Sequence, residues 1–128
     1  PHQTLLRGRL LYDGGYYQRA YDLFTQYSED SFSIFLVRLE YIYRKGRILH
    51  GLERYNQAIT QYGRTIEEGK DNEAFYACNA ALQAALIEEK RGHILSAKRY
   101  FNLCLSLRPA DYRTGLHQQA KAGLSRIE

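Results

Sequence analysis

Three ungapped copies of one spacing constrain this chain more than any other feature. Gly15-x-Tyr17-x-x-Ala20-x-x-x-Phe24 returns as Glu53-x-Tyr55-x-x-Ala58-x-x-x-Tyr62 and again as Gly92-x-Ile94-x-x-Ala97-x-x-x-Phe101. A second echo precedes each copy: Gly8-x-x-Leu11, Gly46-x-x-Leu49 and Ala85-x-x-Glu88, with the small residue always twelve positions ahead of Ala20, Ala58 or Ala97. A small residue in each of two successive segments lets two backbones approach closely. Self-similarity at this period, with helical spacing inside each copy, is the mark of a helical solenoid.

The motif resembles the tetratricopeptide repeat, a helix-turn-helix unit carrying Gly or Ala, Tyr, Ala, an aromatic residue and a closing Pro. The first copy carries it at Gly8, Leu11, Gly15, Tyr17, Ala20 and Phe24, and the third at Gly92, Ala97, Phe101 and Pro109. Two positions depart from the pattern: Glu53 stands in the second turn where Gly is preferred, and Glu88 where a large apolar residue is expected. Ala58 follows Ala20 by 38 residues and Ala97 follows Ala58 by 39, against about 34 for the family. Four or five extra residues are close to one helical turn, so they lengthen a helix without much rotating its apolar face. The first helices of units two and three are therefore expected to be elongated. The resemblance implies an all-α, right-handed solenoid of three hairpins forming a single domain over residues 1–128. Its units are expected at about 1–30, 31–69 and 70–109. Leu116, Ala120, Leu124 and Ile127 share one helical face in the remaining segment, which reads as a capping helix over 110–128.

The turn signals agree. Breaks are expected at Asp13-Gly14-Gly15, Ser28 to Ser31, Gly51-Leu52-Glu53, Gly69 to Asn72, Arg91-Gly92 and Arg108 to Asp111, because Gly ends helices while Ser, Asp and Asn cap their starts. Seven helices result. The two prolines, Pro1 and Pro109, interrupt no helical pattern. The chain starts at Pro1 and has no Met, so the expectation is a piece of a longer, bacterial-type repeat protein. It contains no apolar run long enough for a membrane span, and its compartment is not legible.

Function in the resembling family lies on the face lined by the first helix of every unit. The stripe beside Gly8, Gly46 and Ala85 reads His2, Leu5, Arg9 and Tyr12, then Glu40, Tyr43, Arg47 and His50, then Asn79, Leu82, Leu86 and Glu89. The candidate partner-binding residues are accordingly Leu5, Arg9, Tyr12, Tyr43, Arg44, Arg47, His50, Asn79, Leu82 and Leu86. Guanidinium and aromatic groups mixed in this way suit a peptide-binding surface. Some family members clamp the carboxylate of a chaperone tail with Lys and Asn side chains. Here those positions hold Leu5 and Arg9, Arg44, and Asn79 and Gln83, so that specificity is not expected.

Other chemistry finds little footing. His2, His50, His93 and His117 are dispersed, Glu67-Glu68 and Glu88-Glu89 are adjacent pairs that diverge on a helix, and Asp13-Gly14-Gly15 lacks the Lys-Ser/Thr of a phosphate cradle. No catalytic residue, metal site or cofactor is expected. Cys78 and Cys104 have no paired ligands at zinc spacing. In an antiparallel hairpin, positions whose numbers share one sum face each other. Cys78 with Cys104 has the same sum as Ala85 with Ala97, which makes the two sulfurs expected neighbours, as small buried groups or as a disulfide. The net charge of +4 is spread over all units. That distribution argues against a nucleic-acid partner, which would need a continuous basic stripe. The reading is a non-enzymatic scaffold that binds a protein or peptide. Binding of RNA or another polyanion and a structural or self-association role are the alternatives.

Overall fold

A computed structural model describes residues 2–128. Among these described residues seven α-helices form: α1 (Gln3–Asp13), α2 (Tyr17–Phe24), α3 (Phe35–Gly51), α4 (Tyr55–Gly69), α5 (Tyr76–Lys90), α6 (Ile94–Ser106) and α7 (Arg113–Ile127), with a 3-10 turn at Glu29–Ser31. No strand occurs among the described residues. All six expected breaks fall at the ends of α-helices or between them. The first helix of unit one has 11 residues, against 17 and 15 in units two and three, so the longer period does go into helix length. Part of it enters the second helices too, since α4 has 15 residues and α2 only 8.

The turns show why glycine recurs. Gly15 and Gly92 adopt φ of +82° and +79°, a left-handed backbone that costs Gly nothing. Glu53 occupies the same place in the second copy and takes φ 60° despite its side chain. Glu88, the other departure, has a use of its own. Its carboxylate lies 3.6 Å from Arg91 Nη1 and 3.3 Å from His93 Nδ1, which ties the end of α5 to its turn.

The chain divides into two compact units, Pro1–Gln61 and Tyr62–Glu128, with the boundary inside α4. In the first unit the core gathers Leu5, Ala20, Leu23, Phe24, Phe32, Tyr41, Ile42 and Ile48. Phe24 stacks on Tyr41 at 5.1 Å, and Tyr41 packs on Phe32 at 4.9 Å. Each such ring contributes roughly 1.5–3 kcal/mol by leaving water. A β-carbon on Gly8 would lie 2.2 Å from Phe24 Cε1, and one on Gly51 would lie 2.7 Å from the Tyr17 ring. Glycine therefore sets how closely α1 and α3 approach α2.

In the second unit α5 is nearly all small or aliphatic, with Ala77, Cys78, Ala80, Ala81, Leu82, Ala84, Ala85 and Ile87 buried. It packs on α6, and α7 covers both. The buried ridge of α7 is Leu116, Ala120 and Gly123. Gly123 presses on Phe101 as Gly8 does on Phe24, because a β-carbon there would lie 2.2 Å from Phe101 Cζ. Gly123 also follows Ala85 by 38 residues, which is the repeat period. By spacing, α7 is a fourth copy of the first-helix motif.

All six small residues at the expected contacts, Gly8, Ala20, Gly46, Ala58, Ala85 and Ala97, are buried. So are Phe24, Tyr62, Phe101 and Pro109, while Tyr17 and Tyr55 are half-buried and Ile94 is exposed.

Candidate functional site

The expected stripe separates by depth. Leu5, Tyr43 and Leu82 are core side chains and have no surface to offer a partner. The reason is helical geometry: each stands three residues before Gly8, Gly46 or Ala85, and residues three apart share a face. A stripe drawn beside the small residues thus included the buried ridge itself. Arg9 is exposed, and Tyr12, Arg44, Arg47, His50, Asn79 and Leu86 are half-buried.

Within the first unit, α1 and α3 bring several of these groups together. The Arg47 guanidinium lies over the Tyr12 ring at 5.2 Å, and Tyr12 packs on Tyr17 at 5.2 Å. Burial pushes the Tyr12 hydroxyl above its ordinary range, and the Arg47 charge offsets part of that. Arg44 lies over Tyr43 and donates from Nε to Glu40 at 2.6 Å. His50 meets Tyr55 edge-on. Arg47 and Arg44 are consequently held by their neighbours, and Arg9 is the exposed cation of this face.

The second unit holds another candidate site. Phe75, Asn79, Tyr112, Gly115, Leu116 and Gln119 line a cavity of about 490 Å³ between the N-terminal parts of α5 and α7. Its walls are aromatic, with Phe75 and Tyr112 edge to face at 5.2 Å. Its polar side-chain groups are the uncharged amides of Asn79 and Gln119 and the Tyr112 hydroxyl. Gln83 donates to Asn79 Oδ1 at 3.2 Å and orients that amide. A β-carbon on Gly115 would meet nothing within 4 Å, so the cavity is open above α7.

Tyr112 is the unusual member. It precedes α7 with φ 63° and ψ 2° and no side-chain cap, and its side chain is 71% exposed. Left-handed backbone costs a bulky residue roughly 1–2 kcal/mol. Exposing an aromatic ring recovers none of that. The surrounding loop is anchored on both sides of it. Ala110 N donates to Glu73 O at 2.8 Å, a His117 ring nitrogen lies 2.8 Å from Leu107 O, and Pro109 is buried. Backbone strain held in this way tends to mark a binding site.

Of the expected residues, only Asn79 lines this cavity. Phe75, Tyr112, Gly115 and Gln119 lie outside the repeat motif and were missed; the aromatic-polar cluster after Pro109 was the available signal. Three cations elsewhere are paired with carboxylates: Arg64 with Glu68, Lys70 with Glu67, and Arg126 with Glu89. Among the described residues no group of three or more His, Cys, Asp or Glu could hold a metal, and no helix is long and apolar enough to cross a membrane. No protein-family model, curated protein or solved structure matches the chain.

Proposed function

We propose that the chain is a tetratricopeptide-type helical repeat that binds an extended segment of a partner protein and performs no catalysis. The cavity between α5 and α7 takes an apolar side chain of that segment against the edge-to-face pair of Phe75 and Tyr112, while the amides of Asn79 and Gln119 hydrogen-bond its backbone. The observation that carries this reading is Tyr112, an exposed aromatic ring held in left-handed backbone at the mouth of an open cavity. Aromatic anchors flanked by amides are a common currency of peptide recognition. A site ordered before binding avoids part of the entropy cost of association. Arg9, with Arg47 and Tyr12, offers a second contact area on the first unit, suited to an acidic residue.

Panning a random peptide library against the protein tests the reading, with affinities of the enriched peptides measured by fluorescence anisotropy. Tyr112→Ala, Asn79→Ala and the cavity-filling Gly115→Leu should each weaken binding about tenfold or more, the loss of roughly 1.4 kcal/mol or above. Helicity should not change. Failure to enrich any peptide, or affinities indifferent to all three substitutions, refutes the proposal. Double replacement of Arg9 and Arg47 by Ala should weaken acidic peptides selectively.

A further inference from the structure

Cys78 and Cys104 face each other across the α5–α6 hairpin with their Sγ atoms 3.6 Å apart, and both side chains are buried. The Cys78 thiol also lies 3.5 Å from Cys104 O, and Cys104 Sγ lies 3.9 Å from Leu116 O. A structural role for two small buried residues needs no such alignment, since alanine fills equivalent places along α5 at Ala77, Ala81 and Ala84. The environment of the two sulfurs is also unequal. Cys78 lines a second cavity, of about 250 Å³, bounded by residues 69–74 and 107–109, whereas Cys104 lines no part of it. Cys78 stands in the first turn of α5, where the amide dipoles favour a thiolate.

We propose that Cys78 and Cys104 are a redox-active dithiol, with Cys78 the entry thiol reached through this cavity and Cys104 the resolving thiol that closes an intramolecular disulfide. The oxidant is a low-molecular-weight disulfide. Cys78, as thiolate, attacks one sulfur of the reagent; a Cys78–S bond forms, the reagent S–S bond breaks, and the first thiol leaves carrying one proton. Cys104, as thiolate, then attacks Cys78 Sγ in the mixed disulfide; the protein S–S bond forms and the second thiol leaves with the other proton. Two protein thiols are oxidised by two electrons, and one external disulfide is reduced to two thiols. The hydrogen bond from Cys104 holds the Cys78 thiol below its ordinary range, while the same pairing and burial push Cys104 up. The cavity beside Cys78 and its place in the first turn of α5 order the two steps. Closure needs the sulfurs to approach by about 1.5 Å, from the present contact to bonding distance near 2.05 Å, a movement within reach of the two side chains. The new bond ties the helices at the end of the hairpin remote from the Gly92 turn. It would raise the melting temperature by about 10 °C through the closed loop.

The experiment treats the purified chain with oxidised glutathione and follows it by intact-mass and peptide mass spectrometry, beside Cys78→Ala and Cys104→Ala. The unsubstituted protein should lose two hydrogens, yield a Cys78–Cys104 cross-linked peptide, and melt higher until dithiothreitol reverses the change. Cys104→Ala should stall with one glutathione on Cys78, forming at least tenfold faster than any adduct on Cys104 in Cys78→Ala. Retention of both free thiols, two glutathione adducts on one chain, or a disulfide only between chains overturns the proposal. Faster modification of Cys104 overturns the assigned order. Should either variant fail to fold, the cross-linked peptide from the unsubstituted protein decides alone.

Discussion

The Phe24 ring occupies the space a side chain at Gly8 would need, since a β-carbon there would fall 2.2 Å from Cε1. Phe101 and Gly123 repeat the relationship at the same distance. Both rings are fully buried, so neither can swing away. Gly8→Ala and Gly123→Ala should therefore destabilise despite the better helix propensity of Ala. Overpacking costs ~1–3 kcal/mol and propensity returns about 1, leaving a net loss centred on about 1 kcal/mol in urea unfolding. Gly63 lies within α4 with nothing within 4 Å of its β-carbon position, and Gly63→Ala should instead stabilise by ~0.5–1 kcal/mol. Ala58→Leu, at a fully buried contact, should lose ~1–3 kcal/mol. Equal behaviour of Gly8→Ala and Gly63→Ala would remove the close-approach account.

Glu53 supplies the second prediction. It adopts φ 60° in the turn where its counterparts are Gly15 and Gly92, and its side chain is exposed. Glu53→Gly relieves ~1–2 kcal/mol of left-handed strain but adds freedom to the unfolded chain, worth ~0.4–1 kcal/mol. The expected outcome is a gain of about 0.5–1 kcal/mol, read as a higher denaturant midpoint at unchanged slope.

The repeat made this much of the fold legible because its signals are local. Turn glycines, capping residues and small residues twelve apart report on neighbouring helices through short stretches of chain, and the breaks and the buried contacts follow them. Gly123 was within reach by the same period, but α7 lacks the turn and second-helix half of the motif and read only as a cap. The candidate cavity was hidden for a different reason. It depends on the left-handed backbone of Tyr112, which no residue preference suggests, and on Phe75 meeting it from 37 positions away. Leu5, Tyr43 and Leu82 fell in the core because residues three positions before Gly8, Gly46 and Ala85 share their buried face, so the stripe overlapped that ridge.

Arg126 and Glu89 form the third test. The guanidinium reaches from α7 to α5 with Nε and Nη2 at 2.8 and 2.7 Å from the two carboxylate oxygens. Its hydrogen bonds hold the Glu89 carboxyl below the ordinary carboxylate range. A lowered folded-state value means that the contribution is present above the unfolded value and fades as pH falls through the folded one. The pair is partly exposed, so its worth is ~0.5–1 kcal/mol. Glu89→Gln should lose that amount at neutral pH and low salt, and the difference from the unsubstituted protein should shrink in molar salt and in acid. A double-mutant cycle with Arg126→Ala isolates the coupling.

Tyr41 allows the sharpest pH experiment. Its buried hydroxyl points at two carbonyl oxygens, Phe24 O and Tyr27 O, each at 3.0 Å, just where α2 ends and its last carbonyls lose helical partners. Burial pushes the phenol up to about 12, with the Glu29 charge adding to it. The folded state thus holds this proton more tightly than the unfolded chain, whose value is near 10. Stability from the group is complete below about pH 10 and is lost as pH rises from there towards 12. The full swing is about 3 kcal/mol. Tyr41→Phe should cost ~1–2 kcal/mol at neutral pH by removing the donor. Above pH 10 the unsubstituted protein should weaken more steeply than the variant, narrowing the gap between them. Other tyrosines titrate in both proteins and cancel in that comparison. Parallel stability curves between pH 9 and 12 would show that the Tyr41 proton is not held by the end of α2.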